Sequence, residues 1–298
     1  QRGLGMSRIA YVNGQYVSHR DATVHVEDRG YQFADGVYEV FAVMGGKLIG
    51  EQGHLERLAH SLSELRIEWP MSRPALMVAV KEIVRRNHVR DGLVYLQITR
   101  GVSPRDHPFP QHSDSALVIT ARKSGPLDKD TLRNGVDIIT IPDIRWQRCD
   151  IKSVALLANV LGKQEAREAN AFEAWQVDED GYITEGTSTN AWIVTASGEL
   201  VTRNVSTSIL NGVTRLAVLE AAVEVGVDII ERPFTTLEAL AAREAFITSS
   251  TSHVKAVTRI NGQSIGNGYV GDLTNRVLDA YVEYVETNGG PQTTDKWN

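Results

Sequence analysis

Apolar and polar positions follow two different periods along the first part of the chain. Apolar runs at 8–12 and 15–17 flank Asn13-Gly14, and residues 36–49 repeat that pattern around Gly45-Gly46. Such pairs between apolar runs predict β-hairpins. Leu55, Leu58, Leu62 and Leu65 then recur at helical spacing. Ser72 reads as the N-cap of a second helix, with Pro74 in its first turn and an apolar face through Leu76, Val80, Ile83 and Val84. Strands are predicted at 93–100 and 115–121. The stretch 101–110 between them carries Pro104, Pro108 and Pro110 and reads as an ordered, irregular loop.

Residues 123–128 read as a linker. Beyond them a strand (136–141), a helix (154–169) and a strand (172–177) follow. A turn at 178–181 leads to a strand at 189–195, and Ser197-Gly198 turns into a short strand. Asn211-Gly212 precedes a helix over 213–225. A strand, a short helix, strands at 245–248 and 254–258, and a last helix over 270–287 complete the pattern. Strands and helices interleave without regular βαβ spacing, which predicts an α+β fold with mixed sheets in two domains. The expected division is a small N-terminal α/β domain over 6–122, the linker at 123–128 and a large C-terminal domain over 129–298.

Composition narrows the function. The formal net charge of −6 argues against nucleic acid as the main partner. The single cysteine, Cys149, excludes an intrachain disulfide and a Cys-rich zinc site, and no histidine spacing points to a metal. No stretch of about 18 apolar residues is present, so no membrane helix is expected. Residues 1–5 lack the apolar core of a signal peptide and read as a tail ahead of a native Met6. A cytoplasmic protein is the expectation, and the sequon at Asn204 is then irrelevant. Gly-rich dinucleotide loops, phosphate-loop motifs and H-E-x-x-H are all missing. Gly186-Thr187-Ser188-Thr189-Asn190 departs from a nucleophile elbow at its last residue.

Four stretches carry chemistry in a fixed order. They are Glu27-Asp28-Arg29-Gly30-Tyr31-Gln32-Phe33-Ala34-Asp35-Gly36-Val37-Tyr38-Glu39, then His54-Leu55-Glu56-Arg57-Leu58, then the run from Asp143 through Arg145, Trp146, Arg148 and Asp150 to Lys152-Ser153, and then Thr184-Glu185-Gly186-Thr187-Ser188-Thr189-Asn190. Together they resemble the fold-type IV pyridoxal 5'-phosphate (PLP) dependent aminotransferases of the branched-chain aminotransferase-like superfamily. Arg105-Asp106-His107 resembles the D-amino-acid transaminase branch. The resemblance runs from about residue 8 to the final helix. It implies two mixed α/β domains with the cofactor at the domain interface, the larger domain being the PLP-binding one.

The resemblance also assigns residues. Lys152 is the Schiff-base lysine and proton carrier. A free lysine, with a pKa of about 10.4, does neither well at neutral pH until burial or imine formation lowers it. Glu185 pairs with the pyridine nitrogen, whose proton a neighbouring carboxylate retains. Arg57 binds the phosphate bidentately, although alone it reads as an exposed arginine paired with Glu56 or Glu64. Val213 and Thr214 open a helix whose N–H groups suit a phosphate. Ser249 and Ser250 line the cofactor pocket, with Ser250 on the phosphate side. Tyr38, Arg105 and His107 capture the substrate α-carboxylate, the Arg-x-His loop reaching in from the neighbouring subunit of a homodimer. Tyr31 is expected near the lysine side of the cofactor, and Trp146 and Arg148 as packing around the lysine loop.

The implied reaction is ping-pong transfer between D-amino acids such as D-alanine or D-glutamate and 2-oxo acids such as 2-oxoglutarate or pyruvate. Same-fold alternatives are a branched-chain L-aminotransferase or an aminodeoxychorismate lyase. The former usually carries Gly-Asn-Tyr soon after its lysine, where this chain has Ser153-Val154-Ala155. A non-catalytic binding protein on the same fold need not keep Lys152, Glu185 and Arg57 together.

Overall fold

The structure, a computed structural model, describes residues 8–291. The readings made of residues 1–5 and Met6, and the last residues of the C-terminal domain, lie outside them. The chain divides into two compact units. One holds residues 8–127 together with Ile151–Ala155, and the other holds 128–150 and 156–291.

The first unit runs β1 (Ile9–Val12), β2 (Gln15–Ser18), α1 (Arg29–Phe33), β3 (Gly36–Met44), β4 (Lys47–Leu48), α2 (Glu51–Glu64), α3 (Arg73–Arg86), β5 (Gly92–Thr99) and β6 (Ala116–Lys123). Its six strands form one sheet in the order β2-β1-β6-β5-β3-β4. Every pairing in it is antiparallel, so the expected mixed sheet does not occur here. The reason is connectivity, since short turns or helices that return on one side leave neighbouring strands running in opposite directions. Asn13 and Gly14 both take positive φ, 45° and 93°, which the two-residue turn between β1 and β2 requires. Ser72 accepts the Ala75 N–H and caps α3. Phe41, Leu96 and Ile98 of the sheet meet Leu58 and Leu62 of α2 and Leu76, Val80 and Ile83 of α3 in one core.

The second unit runs α4 (Lys129–Arg133), β7 (Val136–Pro142), α5 (Leu157–Glu168), β8 (Glu173–Val177), β9 (Ile183–Gly186), β10 (Asn190–Val194), β11 (Leu200–Thr202), α6 (Val213–Glu224), β12 (Ile229–Glu231), α7 (Thr236–Ala241), β13 (Glu244–Ser249), β14 (His253–Ile260), β15 (Gln263–Ser264) and α8 (Asp272–Asn288). Its sheet is mixed: β7 pairs parallel with β8 and β14, and β11 with β12, while the other pairings are antiparallel. Trp175, Ile193, Ile247 and Phe234 lie in its core.

The first unit ends at Leu127 and the second begins at Asp128, but a later segment departs from that order. Residues Ile151–Ala155 belong to the first unit instead of continuing the C-terminal one. Their backbone lies along β3: Tyr38 N–H donates to Lys152 O (3.0 Å), Val154 N–H donates to Gly36 O (3.0 Å), and Ser153 bridges to Val37. That pairing also takes 154–156 out of the expected helix, so α5 starts at Leu157.

Candidate active site

Lys152 is fixed from two sides of its backbone. Its carbonyl accepts from Tyr38 and its N–H donates to Ser61 Oγ of α2 (3.0 Å). The half-buried side chain lies with Nζ 4.1 Å from the centre of the Tyr38 ring. Tyr38 in turn stacks on Tyr95 of β5 with ring centres 5.6 Å apart. The strand period puts Tyr38 on the face opposite buried Val37 and Glu39. The amine expected to form the imine and the phenol expected to meet the substrate thus come together within one unit.

Next to them on β3, Glu39 is fully buried with Arg57 and His54 of α2. Arg57 donates from Nε to Oε1 (2.8 Å) and from Nη2 to Oε2 (2.7 Å). His54 Nδ1 lies 2.6 Å from Oε2. Burial works against the Glu39 charge, but Arg57 and His54 outweigh it and hold the carboxyl down at about 2. Burial, with Arg57 and Lys152 nearby, keeps the His54 pKa below its ordinary value despite Glu39. Arg57 is therefore not the exposed partner of Glu56 or Glu64, because a charge taken out of water needs a buried counter-charge. Neither Glu39 nor His54 had been singled out as an acid-base group. The sequence signal was the strand period, which places Glu39 inside.

In the second unit Glu185 of β9 is 6 % exposed and fully engaged. Arg145 Nη1 donates to Oε1 at 2.5 Å, Asn190 Nδ2 donates to Oε2 at 3.1 Å, and Leu210 N–H reaches both oxygens at 3.1 Å. Burial pushes the Glu185 carboxyl above its ordinary value, while Arg145 and the Leu210 N–H pull it back. Arg145 also donates to both oxygens of Asp143 (2.9 and 2.7 Å), and burial does not prevent Glu185 and Asp143 from holding its pKa above the ordinary value. Arg145 and Asp143 went unassigned in the sequence. Trp146, expected to pack around the lysine loop, is 44 % exposed, and Arg148, with the same expectation, pairs with Asp150 of that loop. Nothing local separates Arg145 from Arg148, since the partner that distinguishes them lies on another strand.

Asn190 ties Glu185 to the start of α6. Its Nδ2 also donates to Leu210 O (2.9 Å). A Cβ on Gly212 would stand 2.2 Å from Asn190 Oδ1, so only glycine fits there. Gly212 gives α6 no side-chain cap, and Val213 and Thr214 are buried. The first N–H groups of this helix are thus free for an acceptor oxygen. The loop from Glu185 to Asn190 is pinned from below by buried Glu173, which accepts from the hydroxyls of Thr187, Ser188 and Thr189. Ser249 and Ser250 are half-buried after β13. Ser249 Oγ accepts the Ser252 N–H (2.9 Å) and closes the turn, while Ser250 makes no side-chain hydrogen bond among the described residues.

Arg105 and His107 are exposed, and both pack on Phe33: the Arg105 guanidinium carbon is 4.8 Å from the ring centre and the His107 ring centre 5.4 Å from it. No hydrogen bond or ring contact joins either to Tyr38 among the described residues. Tyr31 is 77 % exposed on α1 and makes no such contact with Lys152.

Each unit by itself carries groups of the kind PLP chemistry uses: an amine at Lys152 in the first, and in the second the buried carboxylate of Glu185 with an uncapped helix start tied to it. The Amino-transferase class IV family model matches residues 36–260, and the chain belongs to this family. The D-alanine aminotransferase of Bacillus licheniformis is 44 % identical over 90 % of this chain and 94 % of its own length. That of Staphylococcus haemolyticus is 36 % identical over 93 % of this chain and 98 % of its own. Among solved structures, a T.th. branched-chain amino acid aminotransferase with pyridoxamine 5'-phosphate superposes with a TM-score of 0.85 at 26 % identity, covering 93 % of each chain.

Proposed function

We propose that the protein is a PLP-dependent D-amino-acid transaminase, exchanging the amino group between D-alanine and 2-oxoglutarate to give pyruvate and D-glutamate. The observation that carries this reading is the pairing of 151–155 with β3, which sets Lys152 Nζ 4.1 Å from the Tyr38 ring. The relatives named D-alanine aminotransferase favour it over the branched-chain reading, because 44 % identity exceeds the 26 % to the branched-chain structure.

When bound, PLP supplies an aldehyde that condenses with amines and a ring that takes up the electron pair left at the substrate α-carbon. Lys152 would be the amine that holds the cofactor aldehyde and, once the substrate amine has taken its place, the base that carries the α-proton. Its backbone anchors leave only the side chain to move. Glu185 would face the ring nitrogen, with Arg145 and Leu210 preventing its rotation. Val213, Thr214 and Ser250 would donate to the phosphate, with Ser249 shaping the turn that carries Ser250. Arg57 would face the same phosphate, its guanidinium plane set by Glu39. Tyr38, Arg105 and His107 would hold the α-carboxylate. The exposed side chains of Arg105 and His107 suit a homodimer in which they serve the partner's site. A cytoplasmic location agrees with the single cysteine; among the described residues no helix is long and apolar enough to cross a membrane.

The test is to incubate the purified holoenzyme with D-alanine and, separately, with L-alanine or L-leucine, following the cofactor absorption. Faster conversion by D-alanine is expected. Faster conversion by an L-amino acid overturns the assignment in favour of the branched-chain reading.

A further inference from the structure

The loop 101–110 has three prolines and no strand partner of its own beyond a single bridge from Val102 to Asp28. Its carbonyl groups need donors from elsewhere. Arg29, the first residue of α1, supplies them from below. Its side chain is 4 % exposed; Nη1 donates to Asp106 O at 2.6 Å and Nη2 to His107 O at 3.2 Å. Its own N–H donates to Gly101 O at 2.9 Å, so one residue grips the loop at its start and at its tip.

Arg29 is itself held. Nε donates to Asp35 Oδ2 at 2.8 Å. Asp35 is shared with Arg100, which donates to it at 2.7 and 3.0 Å and to the carbonyls of Leu65 (2.7 Å) and Arg66 (2.9 Å) just past α2. Burial works against the Asp35 charge, but Arg100 and Arg29 outweigh it and keep the carboxyl below its ordinary range. Phe33, one turn along from Arg29, completes the support. Its ring centre lies 4.8 Å from the guanidinium carbons of both Arg29 and Arg105, and the His107 ring rests on it too.

We propose that Arg29 and Phe33 form a clamp that sets the position of Arg105 and His107, which makes Arg29 a positioning residue for recognition of the substrate α-carboxylate. This rests on the reading that Arg105 and His107 bind that carboxylate. Fixing the carbonyls of residues 106 and 107 fixes the backbone on which the two side chains are mounted. A guanidinium fork reaches two carbonyls and a carboxylate at once in one plane, whereas a lysine ammonium lacks that geometry.

The experiment compares Arg29→Lys, Arg105→Ala and the double variant as holoenzymes. Readouts are KM and kcat for D-alanine, the inhibition constant of propionate, which has a carboxylate but no amine, and the rate with D-alaninol, which has the amine but no carboxylate. For Arg29→Lys, KM and the propionate constant should each rise about tenfold, with the D-alaninol rate and the cofactor spectrum unchanged. The double variant should lose less than the product of the two single losses, because Arg29 acts through Arg105 and His107. Hydrogen exchange across 101–110 should quicken in Arg29→Lys without cofactor. Should Arg29→Lys fail to fold, Phe33→Leu removes the ring without stranding a buried charge and should raise the same two constants about threefold. If Arg105→Ala raises the propionate constant while Arg29→Lys, or Phe33→Leu in its place, leaves it unchanged, the clamp is wrong and the carboxylate site stands. An equal loss with D-alaninol also overturns the clamp. If Arg105→Ala leaves both constants unchanged, the carboxylate reading itself fails, and the clamp with it.

Discussion

In the proposed enzyme the surroundings of Glu185 and the loop that carries Arg105 both present charge to a small ligand, and they are built in opposite ways. Glu185 is buried, and its hydrogen bonds come from Arg145, Asn190 and the Leu210 backbone. Arg105 and His107 stand in solvent, and what is buried is their support, Arg29. A group that must keep one geometry through every turnover gains from a dry, fully bonded setting, where electrostatic interactions are strong. A group that must admit and release substrates stays accessible, and the precision is transferred to the residues beneath it. In the proposed enzyme the buried region grips the cofactor and the exposed one reads the substrate.

Substitutions can break this division. The largest effect is expected at Lys152, which in the proposed mechanism serves both halves of the chemistry. Lys152→Ala should abolish transamination while circular dichroism and cofactor affinity through Val213 and Thr214 persist. Near wild-type turnover without added amine would remove Lys152 from its role. Glu185→Gln should lower the rates of both half-reactions roughly a hundredfold with little change in KM, because the ring nitrogen then loses its ionic partner. Single-turnover absorbance measurements check this, and unchanged rates would detach Glu185 from the cofactor.

A third effect is on stability. The folded Glu39 carboxyl titrates at about 2 against an ordinary 4.5, and His54 below its ordinary 6.5. In both cases the unfolded chain binds protons first as pH falls. The Glu39 contribution is therefore complete above 4.5 and lost as pH drops towards 2, while the His54 contribution is complete above 6.5 and declines below it. The depressed Glu39 pKa corresponds to roughly 3 kcal/mol. Denaturant unfolding at a series of pH values should show the advantage of wild type over Glu39→Gln shrinking as pH falls from about 4.5 towards 2. An advantage that grows between about pH 4.5 and 2 would contradict the buried ion pair.

The smallest effect is expected at the exposed loop. Arg105→Ala should lower kcat/KM for D-alanine about ten- to a hundredfold, the roughly 1.5–3 kcal/mol of a charge-assisted bond, and leave cofactor binding untouched. Mixing inactive Lys152→Ala with Arg105→Ala protomers sharpens the point. Regained D-alanine activity in mixed dimers places Arg105 across the subunit interface, whereas none in demonstrated mixed dimers keeps it in its own subunit.

The contrast also explains what was legible beforehand. Elements set by local periodicity and local turn chemistry could be read directly: the Asn13-Gly14 hairpin, the leucine stripe of α2, the Ser72 cap and the Gly212 start of α6. The short strand β9 escaped, because Ile183–Gly186 is buried at every position and so shows no alternation. α1 escaped as well, being only five residues long and capped by Asp28 inside a loop. Glu185 and Lys152 draw their proposed roles from the stretches that carry the family resemblance.

Sequence alone thus determined the local elements, the order of the chemical groups and the family they resemble. Tertiary structure decided which of the charged residues work together. Arg145 was chosen over Arg148 by Glu185, forty residues further on; Arg57 was drawn inside by Glu39 on β3; and residues 151–155 were taken from the second unit by β3. The physical reason is common to all three. Local conformation depends on neighbours in the chain, whereas the cost of burying a charge or a backbone N–H depends on the partner it finds in space.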